Sequence, residues 1–463
     1  MTTAQKTSRL RGHHGPDRPE SVVPVEYLTA AHRILILGGG FAGRTAAVEL
    51  VKRTRRADDV AVLLVDRGEG MTFTPLLWTV AGGRAAAQDV IVPLNKGYAE
   101  GELLTLQTEV TGLDRDRKQV RTNAAVLPYD TLVIALGSVT AVPDLPGLRQ
   151  HALVFRTTAD ALDLRHRLIR SVEAAHAARD PQERLEYLTF VVAGGGDTGV
   201  ELAAVLQDYI RHGLMRTYPW LRDTPPRVVL IEREDRLLPL SDVDTSGLVQ
   251  RRLVDDGVEI LTGTRVTGVS DQAVTTSSGE IPTRTVVWAA GITAPDIVRT
   301  LDSDHGANGA LTVDEYLRLP AHPDVYVLGD SASVGRNDTG EPVPPTAQAA
   351  EAMGRYVAGA IAARLAARSV KPFRFASRGH LVLLGDRTGV AQVGPVRFGG
   401  LPAWLIWHAY YLSHIPAWRN RVKLAGDWFH AALFGRRVGQ VPVPEHCGQP
   451  AATYQQDKGN VAA

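Results

Sequence analysis

Two glycine-rich turns with the spacing Gly-x-Gly-x-x-Gly lie in the sequence, one in GGGFAG (residues 38–43) and one in GGGDTG (residues 194–199). In such a turn the first glycine permits a tight bend, the second lets the backbone approach a pyrophosphate, and the third lets the helix pack closely on its strand. The helix N-terminus then presents free N–H groups and a partial positive charge to the phosphates. Both turns therefore predict dinucleotide binding. The motif glycines are Gly38, Gly40, Gly43, Gly194, Gly196 and Gly199.

An acidic residue stands at the end of the apolar segment that follows each turn: Asp66 after the first and Glu232 after the second. An acid in this place accepts hydrogen bonds from ribose hydroxyls and repels a 2′-phosphate. Glu232 therefore favours NADH over NADPH at the second turn. Arg233 is adjacent, and because an arginine can hold a 2′-phosphate, NADPH stays open as the alternative.

Three further polar residues could take part in chemistry. Glu201 follows the second turn, in the first turn of the helix, where a carboxylate can orient a hydride donor or assist proton movement; the plainer alternative is an acid favoured by the helix dipole. Asp330 follows an apolar segment and either binds a flavin ribityl chain or caps a turn. Gln348 follows two prolines at the start of a helix, where a glutamine is most often a surface residue.

The composition limits the functions that are open to the chain. Its 463 residues carry 51 lysines and arginines against 50 acids, which gives no indication of nucleic-acid binding. Cys447 is the single cysteine, so neither an internal disulfide nor a redox-active cysteine pair is available, and the chain fits a reducing compartment. No metal site is predicted, since His13 and His14 have no neighbouring ligand pattern. Any redox work therefore needs an organic cofactor.

The elements that must position these residues alternate between strands and helices. Apolar segments before and after each turn predict strands at 34–37, 60–65, 190–193 and 227–232, and two more apolar segments, 129–138 and 324–332, flank the second unit. Such alternation indicates parallel sheets and the α/β class. We therefore expect two Rossmann-like domains, with the second inserted into the first between about residues 145 and 290.

The segment LPAWLIWHAYYLSHIPAW (401–418) contains no charged residue. Its apolar and aromatic side chains recur at a spacing of three to four, which predicts a helix with one broad apolar face, and basic residues follow it. This pattern favours a helix in a membrane interface; a buried core or dimer helix is the alternative, and its prolines and histidines argue against a spanning helix. The residues of the predicted face are Trp404, Leu405, His408, Tyr411, Leu412 and Ile415.

Several motifs together resemble the flavoproteins with two dinucleotide-binding domains, and among these the type II NADH:quinone oxidoreductases. The resemblance runs from about residue 32 to about residue 443. The motifs that carry it are TFTPLLWTVAGG, YDTLVIALGS, GGGDTGVELA, VVWAAGI, VYVLGDSA, PPTAQAAEAMG and the C-terminal RNRVKLAGDWFHAALFGRR. The resemblance implies FAD on the first unit and NADH on the second. Its implied division is an FAD-binding domain in two parts (32–145 and 291–370), an NAD-binding domain (146–290) and a C-terminal membrane or dimer region (371–463). Residues 1–31 are polar and contain Pro16, Pro19 and Pro24, so their composition predicts a disordered tail.

The resemblance also implies roles for individual residues. Glu201 matches the family's acid near the nicotinamide, and Gln348 is the second expected catalytic residue, beside the isoalloxazine. The residues expected at FAD are Gly38, Gly40, Phe41, Gly43, Asp66, Arg67, Val110, Ala135, Gly137, Gly329, Asp330 and Ala347. The residues expected at NAD are Gly194, Gly196, Thr198, Gly199, Glu232 and Gly291. The residues expected at the quinone are Gln348, Ala352 and Arg378.

The expected activity is transfer of hydride from NADH to FAD and of two electrons on to a membrane quinone, without proton pumping. The resemblance implies a homodimer attached peripherally to the cytoplasmic face of the cell membrane. One departure concerns Ala352, where the family typically has a second glutamine facing the quinone. Two alternatives therefore stay open: a soluble NAD(P)H-dependent reductase for ferredoxin or a small molecule, and a non-catalytic redox sensor on the same fold.

Overall fold

A computed structural model of the chain describes residues 23–55, 57, 59–95, 103–335, 342–385, 388–394, 396–414 and 418–434. The described residues up to Thr140 include three α-helices and ten strands. In chain order they are α1 (Val25–Thr29), β1 (His32–Leu37), α2 (Phe41–Thr54), β2 (Val60–Asp66), β3 (Gly70–Thr72), α3 (Leu77–Ala81), β4 (Ile91–Pro93), β5 (Leu104–Gln107), β6 (Val110–Asp114), β7 (Gln119–Thr122), β8 (Val126–Pro128), β9 (Thr131–Ile134) and β10 (Val139–Thr140).

The next part carries the second glycine-rich turn. Its elements are α4 (Leu148–His151), β11 (Ala152–Val154), α5 (Thr158–Ala177), α6 (Pro181–Leu188), β12 (Thr189–Ala193), α7 (Asp197–Tyr209), α8 (Met215–Thr217), β13 (Arg227–Ile231), α9 (Val243–Asp255), β14 (Val258–Leu261), β15 (Val266–Val269), β16 (Ala273–Thr276), β17 (Gly279–Pro282), β18 (Thr285–Trp288) and β19 (Ile292–Thr293). A π-helical turn at Ile210–Leu214 continues α7.

The chain then completes the first domain and adds a C-terminal unit. The remaining elements are α10 (Asp296–Arg299), β20 (Leu311–Thr312), β21 (Arg318–Leu319), β22 (His322–Val327), β23 (Ala332–Ser333), α11 (Ala347–Leu365), β24 (His380–Leu383), β25 (Gly389–Val393), β26 (Val396–Gly400), α12 (Leu401–His414) and α13 (Trp418–Phe434).

Two largely parallel sheets form the centres of two domains. The first has the strand order β21-β22-β9-β1-β2-β5, and the second has the order β11-β18-β12-β13-β14. Strands β1 and β12 are apolar and buried along most or all of their length, as parallel strands covered on both faces must be. Because β22 joins β9 in the first sheet, that domain is built from two separate stretches of chain. The predicted α/β class with two Rossmann-like domains is confirmed.

The two connections between these domains lie side by side. Strands β10 and β19 pair antiparallel, with Val139 opposite Thr293, so the chain leaves and re-enters the first domain at one place. Within the first domain, α2 and α11 cross very closely at Gly354, where an added Cβ would stand 2.5 Å from the carbonyl oxygen of Ala42. The helix that opens at the first glycine-rich turn is therefore held directly by α11, the helix that carries Gln348.

The start of the described chain corrects one expectation. Residues 1–31 were expected to be a disordered tail, yet Val25–Thr29 form a helix and Tyr27 is fully buried. The Tyr27 hydroxyl donates a hydrogen bond of 2.6 Å to the carbonyl oxygen of Pro128. The expectation is wrong for this segment because one aromatic side chain among polar residues is enough to anchor it to the core. Residues 1–22, including His13 and His14, lie outside the described residues.

The C-terminal unit corrects a second expectation. Within the segment 401–418 the structure describes α12 as far as His414 and the first residue of α13, Trp418. Most of its predicted apolar face points inward, because Trp404, Tyr411 and Leu412 pack against the core that includes buried Trp407. Leu405 of the predicted face is exposed, as are Leu401 and Ile406, which lie outside that face. Ile415 and Cys447 lie outside the described residues.

Candidate functional site

The first glycine-rich turn has the geometry of a phosphate-binding turn. Gly38 has φ +97°, and an added Cβ there would stand 2.2 Å from the carbonyl oxygen of Ala135. At Gly43 an added Cβ would stand 1.9 Å from the carbonyl oxygen of Gly38, so strand and helix meet without room for a side chain. At Gly40, the N-cap of α2, an added Cβ would meet nothing within 4 Å. The turn is therefore closed on its protein side and open at the helix N-terminus, which fits a bound pyrophosphate.

The second turn repeats this geometry. Gly194 has φ +116°, and an added Cβ at Gly199 would stand 1.7 Å from the carbonyl oxygen of Gly194. Gly196, the N-cap of α7, again has nothing within 4 Å of an added Cβ. Thr198 is exposed in the first turn of α7. The chain therefore has two open glycine-rich turns of the same geometry, the first cradle (residues 38–43) and the second cradle (residues 194–199). Both fit a dinucleotide.

The two strand-end acids hold the glycine turns in place. Asp66 Oδ2 accepts a hydrogen bond of 2.6 Å from the N–H of Gly39, and Glu232 Oε2 accepts one of 2.5 Å from the N–H of Gly195. Sequence reasoning assigned these acids to ribose hydroxyls and missed this second contact. Each carboxylate oxygen can accept more than one hydrogen bond, so the ribose role stays a prediction. Arg233 is exposed and its Nε lies 3.0 Å from Glu234 Oε1.

Asp330 lies in a short 3-10 turn, Gly329–Ser331, where the two parts of the first domain meet. The Ser138 hydroxyl donates a hydrogen bond of 2.6 Å to Asp330 Oδ2, and Arg156 Nη2 donates one of 2.5 Å to the Ser138 oxygen. The neighbouring Ser331 hydroxyl donates to the carbonyl oxygen of Gly137 at 3.0 Å. The segments of Gly137 and Asp330, which are far apart in sequence, are therefore joined beside the first cradle.

The other residues expected at the cofactors occupy scattered places. Phe41 is the first residue of α2, Ala135 directly follows β9, and Ala347 is the first residue of α11. All three therefore lie at the ends of elements of the first domain. Arg67 is exposed after β2, and Val110 opens the separate antiparallel sheet β6-β7-β8. Gly291 has φ +79° in the connection after β18. The cofactor roles of these residues remain predictions.

Glu201 lies near the N-terminus of α7 and is partly buried against the C-terminal unit. Its Oε1 accepts a hydrogen bond of 3.2 Å from the N–H of Leu383 in β24. Burial raises the pKa of Glu201 well above its ordinary value; the Leu383 N–H lowers the pKa and the charge of Asp197 raises it. The carboxyl group therefore keeps its proton to a higher pH than an ordinary glutamate does, and the protonated form is the one that can donate a proton.

An aromatic series connects the first cradle to the C-terminal helix α12. The ring centroids of Phe41 and Phe73 are 5.3 Å apart, and those of Phe73 and Tyr411 are 6.0 Å apart. Trp407 continues the series at 4.4 Å from Tyr411. Burial, followed by the charge of Glu201, raises the pKa of the Tyr411 hydroxyl. Sequence reasoning placed Tyr411 in a membrane interface, but the structure places it near Glu201.

Gln348, at the start of α11, contacts the residues that lead into β24. Its Oε1 accepts a hydrogen bond of 2.8 Å from the backbone N–H of Arg378. The Tyr410 hydroxyl also hydrogen-bonds Gln348 and lies near the charges of Glu351 and Arg378. Tyr410 and Glu351 were missed because no local sequence motif marks a contact between α11 and α12.

The expected quinone residues are only partly gathered. Ala352 lies one turn after Gln348 on α11 and packs against the core of the first domain. Arg378 is exposed, and its backbone rather than its guanidinium contacts Gln348. Residues 378–383 therefore form a short bridge between two helices. The first residue of the bridge, Arg378, contacts Gln348, and its last residue, Leu383, contacts Glu201.

Two parallel-sheet domains with open glycine-rich turns define the class of pyridine-nucleotide oxidoreductases with two dinucleotide-binding domains. Residues 32–354 match the family model described as pyridine nucleotide-disulphide oxidoreductase, and residues 378–437 match the model of the NDH2 C-terminal domain. The chain belongs to the type II NADH:quinone oxidoreductase family, whose cofactor is FAD.

Named relatives and a solved structure support this placement. A type II NADH:quinone oxidoreductase (Ndh) of Mycobacterium tuberculosis is 31% identical, covering 89% of this chain and 90% of the relative. A demethylphylloquinone reductase (NdbB) of Synechocystis is also 31% identical, covering 87% of this chain and 97% of the relative. The structure of NDH2 from Plasmodium falciparum in complex with NADH has a TM-score of 0.79 at 19% identity, over 88% of this chain and 99% of that chain. At that identity it establishes the fold.

The open space at Gly196 yields a first prediction. We expect Gly196→Ala to leave the fold and bound FAD intact, because the added Cβ meets no protein atom, but to weaken NADH binding by at least about tenfold, because the methyl group enters the cradle. Gly359→Ala is the matched control, since an added Cβ there also meets nothing within 4 Å and Gly359 lies within α11. The measurement is the KM for NADH together with the flavin absorbance. Equal KM values for both variants would contradict the assignment.

Proposed function

We propose that the chain oxidises NADH and reduces a quinone through FAD, without pumping protons. The observation that carries this proposal is the bridge at residues 378–383, which contacts Glu201 on the second domain and Gln348 on the first. One segment thus connects the residues expected at the electron donor with those expected at the acceptor. When bound, FAD supplies the redox chemistry, accepting hydride from NADH and releasing two electrons.

The chain's own contribution at the donor end is binding and orientation. The N-terminus of α7 and the open turn at Gly196 receive the pyrophosphate of NADH, and Glu232 takes the adenosine ribose. Glu201 lies one turn further along the same helix, at the place expected for the nicotinamide. Because burial raises the pKa of this carboxyl group, it keeps its proton to a higher pH than an ordinary glutamate does, beside the expected site of hydride transfer.

At the acceptor end, Gln348 and the Tyr410 hydroxyl supply polar groups for a quinone carbonyl, and Arg378 supplies a positive charge nearby. Ala352 supplies none. The loss of one hydrogen bond reduces binding by about 1 kcal/mol, so a quinone is expected to bind more weakly than in a site with two glutamines. Ala352 is also the observation that favours the second candidate, a reductase for a different acceptor.

Acceptor profiling separates these candidates. Purified, FAD-loaded protein is mixed with NADH and a water-soluble quinone, and NADH oxidation is followed at its absorbance maximum. We expect NADH oxidation that depends on the quinone and that exceeds the rate with oxygen alone. If FAD is bound and quinone adds nothing to the rate, the proposal fails. A faster rate with ferredoxin or another soluble acceptor would favour the second candidate.

We propose that the C-terminal helices attach the protein to a membrane surface. Apolar side chains are exposed on both helices: Leu401, Leu405 and Ile406 on α12, and Val422 and Phe429 on α13. Aliphatic and aromatic side chains on neighbouring helices suit insertion into the interface rather than a span. Within the part of the chain that the structure describes, no helix combines the length and the apolar character needed to cross a bilayer.

The exposed apolar side chains of α12 and α13 could also form a contact between two copies of the chain. We propose a homodimer on the cytoplasmic face of the cell membrane, where the single thiol of the chain meets a reducing environment. A second copy of the chain and a lipid surface would compete for the same apolar side chains if both covered α12. The vesicle experiment below distinguishes these two occupants.

The double variant Leu405→Asp/Ile406→Asp tests the membrane proposal. Each side chain contributes on the order of 1.5–3 kcal/mol when buried in an apolar phase, so we expect at least about tenfold weaker binding to phospholipid vesicles in flotation. Val126→Asp, at a comparably exposed apolar residue on the first domain, is the control. Unchanged flotation of the double variant would contradict the proposal, and a change of oligomeric state in gel filtration without lipid would assign the face to a second copy instead.

A further inference from the structure

An acidic residue lies inside the second glycine-rich turn. Asp197 follows Gly196, is the first residue of α7 and has an exposed side chain. The helix dipole favours an acid at this position while the cradle is empty. A dinucleotide, however, brings two negative phosphates to the same turn, and like charges at short range oppose binding unless a cation compensates.

The C-terminal unit provides that cation. His380, the first residue of β24, has its Nε2 2.7 Å from Asp197 Oδ1. Its other ring nitrogen, Nδ1, lies 3.1 Å from the hydroxyl of Ser241. A protonated imidazole donates from both nitrogens, and these two oxygens are placed to accept both hydrogen bonds.

The surrounding charges leave Asp197 as the principal partner of His380. Asp242, the other acid that acts on the ring, already pairs with Arg397, whose Nε lies 3.2 Å from Asp242 Oδ1. Burial lowers the pKa of His380, whereas the hydrogen bond and charge of Asp197 and the charge of Asp242 raise it, and the net direction is upward. Glu201 is the other titratable group near Asp197 on α7. The ring therefore carries its charge to a higher pH than an ordinary histidine.

We propose that His380 is the counter-cation of Asp197 in the NADH cradle and thereby determines the affinity for the dinucleotide. The inference rests on the proposed NADH site. It makes a residue of the C-terminal unit, beyond the second domain, a determinant of donor binding. Deprotonation of His380 leaves Asp197 uncompensated, so NADH affinity falls as the pH rises through the pKa of His380. Conversely, bound dinucleotide stabilises the imidazolium ion.

A double-mutant cycle on the FAD-loaded, full-length protein tests the inference. The variants are His380→Gln, Asp197→Asn and the two combined. The probe is tetrahydro-NAD, a reduced analogue that cannot transfer hydride and carries the same pyrophosphate, and its Kd is measured by calorimetry at pH 6 and pH 9. Because the readout is binding, it is independent of quinone turnover.

We expect His380→Gln to raise the Kd about five- to tenfold at pH 6 and to have a smaller effect at pH 9, because the wild-type ring loses its charge as the pH rises. In the Asp197→Asn background the same substitution should change the Kd less than about twofold, because the carboxylate that His380 compensates is gone. Glu201 titrates in every variant, so the difference between wild type and His380→Gln isolates the histidine.

Two results would overturn the inference. One is an equal effect of His380→Gln with and without Asp197, since a purely structural link between β24 and α7 would be lost in both backgrounds. The other is a wild-type Kd ratio between the two pH values that His380→Gln leaves unchanged. Failure of the wild-type protein to bind the analogue at all would refute the NADH site itself, whereas binding without the coupling would refute only the role of His380.

Discussion

The contact between β24 and α7 is the interaction on which the rest of the site depends. Two residues of the strand, His380 and Leu383, contact Asp197 and Glu201, which lie one turn apart on the helix. The C-terminal unit is therefore attached directly to the helix that opens at the second cradle. The same strand follows Arg378, the residue that contacts Gln348, so the position of β24 links Glu201 on α7 to Gln348 on α11.

Further contacts keep α7 in this position. Buried Asp208, near the end of the helix, pairs with buried Arg84 of the first domain. An ion pair of this kind is costly to break, because removal of one partner leaves a buried charge without compensation. Lys423 of α13 pairs with buried Asp89 of the first domain at 2.6 Å. The helix of the second cradle is thus held on both sides, and the C-terminal helices are held to the first domain.

The parts of the fold that local sequence determines were predictable. Both glycine turns, the strands around them and the acids Asp66 and Glu232 follow from spacing and apolar patterning, because each of these features is complete within about forty residues. The helical periodicity of residues 401–414 was also visible. Periodicity shows that one face is apolar but not what covers it, so the burial of Trp407 and the placement of Tyr411 near Glu201 could not be derived.

Contacts between distant segments could not be predicted either, because a local sequence pattern does not show which remote segment packs against it. Glu201 was singled out by its place after a glycine turn, yet its neighbour Leu383 lies 182 residues away. His380 has no motif around it, and its meaning appears only when β24 lies beside Asp197. Tyr27 illustrates the reverse error, since a polar, proline-containing composition concealed one well-anchored aromatic side chain.

The most direct test of the account measures the reduction of FAD by NADH in rapid mixing across pH for the wild type and Glu201→Gln. Burial raises the pKa of the carboxyl group at the junction of α7 and β24, so the wild-type rate should fall as the pH rises through that raised pKa. Glutamine keeps an oxygen for the Leu383 N–H but has no acidic proton. We expect the variant to lose the pH dependence and about 100-fold in rate, with FAD retained. A variant with the wild-type rate and pH profile would contradict the account and leave Glu201 as an acid that merely stabilises its helix.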